Sequence, residues 1–401
     1  MEITNCASSY VPADIVYQIF LKLPAKSLLR FRCVSKIWRD IIDGLSFAKK
    51  HIAFAAEQPQ ILPAAVPFPI GAQALHSLTY DGNSIKESDY PVLEFLNNES
   101  YDLSHIAYGL LLFENQNCRA EAFLYNPLRG EVLELPRAST PAAETYSTDY
   151  WYGMGFNNMT NTYKIVRVFP VKADDDHMSS SDGLLASEIY TMGTSSWRRI
   201  SSIPPFSLSK HGVSVYGDMH WSTSWIDRID DRMIISFDFG KEEFIQTSPP
   251  DHLVLPNYCL KLTNLRESLA IIDLSSDHQF IEIWVMKDYN KKEWAKEYRT
   301  NKCEILGNSL FFSVGAWGPS LYLYPNNEMN DNCLYIHDLK MNRLMYKIGP
   351  WRDESYRHRT KIFSYTQSIL SLKNFGKLVS AAEGLRRFSF LKSARFIYVS
   401  P

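Results

Sequence analysis

The sequence predicts an α+β multidomain chain: a small N-terminal three-helix module followed by an all-β propeller or propeller-like domain. Three observations carry that expectation. Residues 11–47 (VPADIVYQIFLKLPAKSLLRFRCVSKIWRDIIDGLSF) place apolar residues at helical spacing between two prolines. Beyond Leu75 the chain turns aromatic and β-branched, with Gly, Asn, Asp and Pro clusters between short apolar runs. Within that stretch, similar strand–turn–strand units recur about every 50 residues, a period typical of propeller blades.

The helices follow from local chemistry. Pro12 suits a first turn, where its missing N–H removes no bond. Ile15, Ile19, Phe20 and Leu23 then follow at helical spacing, and Pro24 ends that helix and can open the next, with Leu28, Leu29, Phe31 and Val34. Ser35 can cap a third helix bearing Trp38, Ile41 and Ile42, with Gly44 just past its end. A unit of about 40 residues is near the lower limit for independent folding, and its surplus of apolar side chains points to a docking face.

These residues, in this order, resemble the F-box, the motif that docks substrate receptors onto the Skp adaptor of Skp–cullin–F-box ubiquitin ligases. The matching elements are Pro12 with Asp14 and Ile15, Leu23-Pro24, Lys26-Ser27-Leu28, Arg30-Phe31, Cys33-Val34-Ser35-Lys36 and Trp38. Val11-Pro12 stands where Leu-Pro is commoner. The resemblance implies that Pro12, Ile15, Leu23, Pro24, Leu28, Val34 and Trp38 serve the adaptor contact or the small core beneath it, with Leu23 and Leu28 as its energetic centre. We place this domain at 9–52.

Residues 53–74 contain AEQPQILPAAVPFPIGAQA and read as a Pro/Ala-rich connection, because prolines oppose both helix and central strand. Residues 75–401 form the β domain. Its units centre on GLLLF with EAFLYNPLRGEVLELP, on WYGMGF with YKIVRVF and SEIYTMGTSSWRRI, on GDMHWS with RMIISFDFGKEEFIQT, on ESLAIIDL with IEIWVMKDYNKKEWAKEY, and on NSLFFSV with CLYIHDLKMNRLMYKI. Tyr190, Phe237, Trp284 and Ile336 precede the turns. Asn126-Pro127, Gly193, Gly240 and Asp338 are expected to supply tight or left-handed geometry. Trp197, Phe244 and Trp294 are expected beyond the turns, packing on a neighbouring blade. Segments 75–105 and 361–372 are expected to build a shared blade that closes the ring. A β-sandwich of similar hairpins is the alternative that alternation alone leaves open.

The same segments resemble the F-box-associated domain of plant F-box proteins, related to kelch-type propellers; the usual Gly-Phe-Gly-Tyr-Asp is here Gly153-Met154-Gly155-Phe156-Asn157. The resemblance implies a non-catalytic substrate-recognition subunit that meets the Skp adaptor and, through it, a cullin, and holds a target protein for ubiquitination. The alternative is a propeller-fold hydrolase or oxidase with a helical cap. Trp and Arg dominate binding hot spots and loops carry binding. Trp151, Tyr152, Trp225, Arg228, Trp317, Trp351 and Arg352, expected on connecting loops, are therefore the candidates for the target face.

The bulk properties agree. With 42 basic and 44 acidic residues the formal charge is −2, so no field argues for nucleic acid or a membrane surface. MEITNCASSY lacks the features of a secretory signal, and no apolar run is long enough to cross a bilayer; a cytoplasmic or nuclear location is expected. Six scattered cysteines are expected to be reduced and mostly buried, without the close pairs of a zinc site. No cofactor or metal is expected: Asp174–His177 reads as an acidic loop, and His220 as a packed core histidine.

Overall fold

The computed structural model describes residues 11–55, 101–115, 118, 120–138, 150–171, 184–210, 212–223, 233–250, 253, 260–274, 280–301, 310–317, 320–326, 334–348 and 360–379, and the backbone of short strands between 60 and 95. Four helices come first: α1 (Ala13–Leu21), α2 (Ala25–Phe31), α3 (Lys36–Ile42) and α4 (Leu45–Ala55). The first three match expectation; α4 is a fourth, built on Phe47, Ala48 and His51, which share one buried face at helical spacing. Pro12 and Pro24 occupy the cap positions, one residue before the first turn. Ser35 caps α3, its Oγ accepting from Trp38 N at 3.1 Å.

Six four-stranded antiparallel sheets follow. Five are meanders of consecutive strands. Blade 1 holds Tyr101–Ala107, Leu110–Asn115, Ala122–Asn126 and Glu131–Glu134. Blade 2 holds Trp151–Asn157, Thr162–Val171, Leu184–Thr191 and Arg198–Ile200. Blade 3 holds Val213–Val215, Asp218–Ser222, Ile234–Asp238 and Glu243–Thr247. Blade 4 holds Leu260–Leu265, Ser268–Asp273, Phe280–Asp288 and Glu293–Asn301. Blade 5 holds Leu310–Trp317, Ser320–Asn326, Leu334–Asp338 and Arg343–Ile348.

The remaining sheet closes the ring. Its order is Thr360–Tyr365, Gln60–Ala65, Leu78–Tyr80, Ile85–Glu87, so a late strand pairs with an early one over six residue pairs, Gln60↔Tyr365 to Ala65↔Thr360. The leading strands of successive blades touch one another all the way round, Thr360–Tyr365 contacting both blade 5 and blade 1. The ring is a propeller, and the sandwich alternative falls. Residues 60–65 lie in this blade, not in a simple connection. Pro63 is tolerated because it lies beyond the single pair, Ile61↔Leu78, that joins this strand to its other neighbour, where a missing N–H costs least.

One device recurs at the turns between third and fourth strands. Asn126, Asp238, Asp288 and Asp338 each turn a side-chain oxygen onto the N–H groups two and three residues on, at 2.7–3.3 Å. Gly193 adopts the expected left-handed backbone (φ +97°), but Gly240 does not; the left-handed residues of the later turns are Glu242, Lys292 and Asn342. Trp197 and Trp294 reach across to the preceding blade, donating from Nε1 to Pro136 O (2.7 Å) and Ser248 O (3.2 Å). Phe244 packs within its own blade against Trp221 and Phe237.

Blades 2 and 3 meet at Gly155. A Cβ there would overlap the Phe239 ring and lie 2.5 Å from Gly217 O, closer than any real contact. Phe156 N donates to that same Gly217 O at 3.0 Å. Gly155→Ala is therefore expected to destabilise the ring by about 1–3 kcal/mol, read as a lower urea midpoint at unchanged m-value. At the first hairpin of blade 4, Arg266 (φ +53°) and Glu267 (φ +62°) hold left-handed backbone without a glycine. Replacing them by Asn-Gly should stabilise the ring by about 1 kcal/mol, read as a higher urea midpoint.

Candidate functional site: the helical docking module and its seat

An amphipathic helix can bury only one stripe, and α1 shows which. Phe20 and Leu21 point inward, whereas Val11, Ile15 and Ile19, spaced four apart, stay about half exposed. Val34 and Ile37, before and within the first turn of α3, are 62% and 61% exposed. The inner side is an aromatic knot. Phe20 stacks on Phe31 at 5.9 Å between centroids, and Trp38 meets both edge-on at 5.1 and 5.7 Å.

The residues expected at the adaptor contact thus divide. Pro12, Ile15, Pro24 and Val34 are exposed; Leu23 and Trp38 are half-buried against the core; Leu28 is fully buried. Leu28 cannot be an energetic centre of docking, because no surface of it remains to offer. Val11, Ile19 and Ile37 join the exposed apolar set, and Phe54 of α4 is exposed as well. Their signal was the i, i+4, i+8 spacing of Val11, Ile15 and Ile19, which puts Ile19 outward and Phe20, 100° further round, inward.

His51 in α4 lies beneath this core, stacked on Phe47, with Nε2 2.8 Å from Leu23 O. A carbonyl only accepts, so the ring donates from Nε2. Burial lowers its pKa below the ordinary 6.5 and outweighs the opposing pull of that hydrogen bond.

The module is seated on blades 1 and 2. One continuous apolar core runs from Phe20, Leu28, Ile42 and Phe47 into Leu112, Leu124, Tyr152, Met154 and Phe156. At its edge, Lys49 Nζ donates to Asn158 Oδ1 (2.8 Å) and lies 3.8 Å from the centre of the Phe156 ring. Arg32 grips both oxygens of Asp43 at 2.7 Å. Arg129, from the blade 1 turn, joins the same Asp43 at 3.1 Å and donates to Glu131 at 2.9 Å and to Ile369 O at 3.0 Å.

The last contact belongs to a strap, residues 366–379, that crosses blade 1 after the closing strand. Asn126 Nδ2 donates to Ser368 O (3.0 Å) and Leu370 O (2.7 Å). Glu131 accepts from Ser371 Oγ (3.1 Å) and Leu372 N (2.6 Å). Val379 N donates to Val132 O at 3.1 Å.

Of the expected target-facing residues, Trp151 and Tyr152 are the two whose side chains are described. Trp151 and Tyr152 start the innermost strand of blade 2 and are buried, in the blade 2–3 core and the seat respectively. They pack blades and leave no face for a target. Trp317 ends a blade 5 strand, paired with Ser320, and its side chain lies outside the described residues. Trp225, Arg228, Trp351, Arg352 and the Asp174–His177 loop also lie outside them. The turns that meet the helices are the 3–4 turn of blade 1, through Arg129, and the 1–2 turn of blade 2, through Asn158; those four residues fall instead in the connection between the second and third strands of blade 3 and in that between blade 5 and the closing strand.

Two further expectations resolve. His220 is the packed histidine anticipated: Nδ1 lies 2.7 Å from Ser236 Oγ and Nε2 3.3 Å from Val215 O, and burial depresses its pKa to about 4. This Ser–His pair is at most 1% exposed, so no substrate reaches it. Among the described cysteines, Cys33 is exposed and Cys118 half-buried, contrary to the burial expected. No described helix is long and apolar enough to cross a membrane.

A four-helix module seated on a closed propeller defines a two-part architecture of helices and blades. Residues 9–50 match the F-box domain and residues 75–372 the F-box associated beta propeller domain. The chain belongs to the plant F-box proteins that carry this propeller. It is 25% identical over 310 residues to F-box protein CPR1 of Arabidopsis thaliana, covering 73% of each chain. It is 26% identical over 304 residues to F-box protein At3g07870 (72% of each), and 25% over 303 residues to F-box/kelch-repeat protein At4g19930 (72% of this chain, 69% of the relative), both of the same plant.

Two outcomes test the division of the helical module. Leu28→Ala should cost about 2–5 kcal/mol of stability, measured by urea unfolding, because it opens a cavity in the shared core. Protonating His51 puts charge on a buried ring, so its neutral form contributes stability that is present above pH 6.5 and lost as pH falls through its lower folded pKa. Amide exchange in α4, corrected for intrinsic rates, should therefore accelerate between pH 7 and 5, and less so in His51→Gln.

Proposed function

We propose that this chain is the substrate-recognition subunit of a Skp–cullin–F-box ubiquitin ligase, acting in the cytosol or nucleus. The observation that carries the reading is the exposed apolar set Val11, Ile15, Ile19, Val34 and Ile37 on a domain matching the F-box. Burying one such side chain contributes about 1.5–3 kcal/mol, so a few suffice for a stable adaptor contact. Pro12 and Pro24 flank it.

The receptor performs no bond chemistry. It raises the effective concentration of target lysines near the ubiquitin-loaded enzyme by holding the target in a fixed place. The helices occupy one end of blades 1 and 2, which leaves the other end of the ring for the target. Trp225 and Arg228, in the connection between the second and third strands of blade 3, and Trp351 and Arg352, in that between blade 5 and the closing strand, remain our candidates for that contact. Trp317 stays a candidate too, but it ends the first strand of blade 5 at a 1–2 turn, the kind of turn that meets the helices in blade 2.

Co-purification of the full chain with a plant Skp adaptor and cullin tests the reading. Wild-type protein should form a stoichiometric complex. Ile15→Asp with Val34→Asp should weaken adaptor affinity at least 100-fold, since hot-spot residues each contribute about 2 kcal/mol or more. The same substitutions should leave the unfolding free energy within about 0.5 kcal/mol of wild type, being on the surface. A well-folded double variant that still captures the adaptor would exclude this face, and a wild-type chain that captures none would exclude the receptor reading.

A further inference from the structure

Three pieces of chain remote in sequence meet at one guanidinium. Arg129 sits on a blade 1 turn with its side chain 5% exposed, and it joins Asp43 of the helical module, Glu131 of its own blade and the Ile369 carbonyl of the strap. A planar fork with fixed donor directions sets an angle between its partners, which a point charge does not. The strap adds a second tie, since Asn374 Nδ2 donates to Asp43 O at 3.4 Å. The apolar seat alone does not fix rotation, because hydrophobic contact is non-directional.

We propose that Arg129 is the positioning residue of the receptor: it fixes the orientation of the adaptor-binding helices on the propeller, and with it the place of a bound target. The proposal rests on the receptor reading for its consequence, but its geometry does not. Removing the guanidinium leaves each carboxylate hydrogen-bonded, though the buried Glu131 loses its counter-charge and the ring some stability with it. Asp43 keeps both bonds from Arg32, and Glu131 keeps Ser371 Oγ and Leu372 N. Loss of Arg129 therefore loosens the junction while, below the melting midpoint, both sides stay folded.

The test is a distance distribution by electron spin resonance in the full chain. Labels are placed by non-cysteine chemistry at the exposed Lys22, which caps the end of α1, and at Lys291 of the blade 4 turn. Wild type should give one narrow distance. Arg129→Met, measured well below its own melting midpoint, should broaden it at least twofold while adaptor capture stays as in wild type; a purely stabilising role would lower the midpoint and leave the distribution narrow. Arg129→Lys, which keeps the charge and loses the fork, should fall between. A distribution for Arg129→Met that superimposes on wild type overturns the proposal. Should Arg129→Met not fold, Asp43→Asn reads the same junction from the helical side, and an unchanged distribution there is equally decisive against it. Failure of the receptor reading would show separately, as a wild-type chain that captures no adaptor yet still broadens on loss of Arg129.

Discussion

A four-stranded sheet that is apolar on both faces has to be covered on both, and the rest of this architecture follows from that. Trp151–Asn157 is buried at every position and Thr162–Val171 at all but its ends, so alternation of inward and outward faces is gone. The faces can be covered only by neighbouring blades, and only a closed ring gives every blade two neighbours. Closure recruits Gln60–Ala65 from just after the helices and Thr360–Tyr365 from late in the chain. Because that late strand leads straight into residues 366–379, ring closure delivers the strap onto blade 1. The helices then sit where strap and blade meet.

The helical module illustrates how a segment too small to fold alone divides its apolar residues. Its inner side is completed by blades 1 and 2, which supply core that about 40 residues cannot. Its outer side keeps isoleucines and valines in water, a cost that makes sense only if another surface covers them. Polar ties at the rim, Arg32 and Arg129 on Asp43 and Lys49 on Asn158, give direction to what would otherwise be a slippery contact. The seat is thus apolar in its middle and hydrogen-bonded at its edge, as durable interfaces are.

Much of this was legible in the sequence. Prolines, Ser35 and helical spacing set three helices; the 50-residue period with its turn and aromatic signals set the blades, down to Trp197 and Trp294 reaching the preceding blade. What escaped detection depended on partners remote in sequence. Helix α4 and the burial of Leu28 are completed by the ring, and Gln60–Ala65 becomes a strand because Thr360–Tyr365 lies beside it, against the local preference of Pro63. Trp151 and Tyr152 resembled loop aromatics because no local pattern reveals which end of a strand a blade covers. Arg129 carried no signal at all: a single arginine in a turn acquires its role only when Asp43 and Ile369 arrive.

The most direct measurement is an experimental structure of the full chain bound to a plant Skp adaptor. The account predicts adaptor side chains packed on Val11, Ile15, Ile19, Val34 and Ile37, with Leu28 and Trp38 still inside the module and Asp43 still held by Arg32 and Arg129. An adaptor bound elsewhere, or helices lifted off blade 1 to expose Leu28, would contradict it.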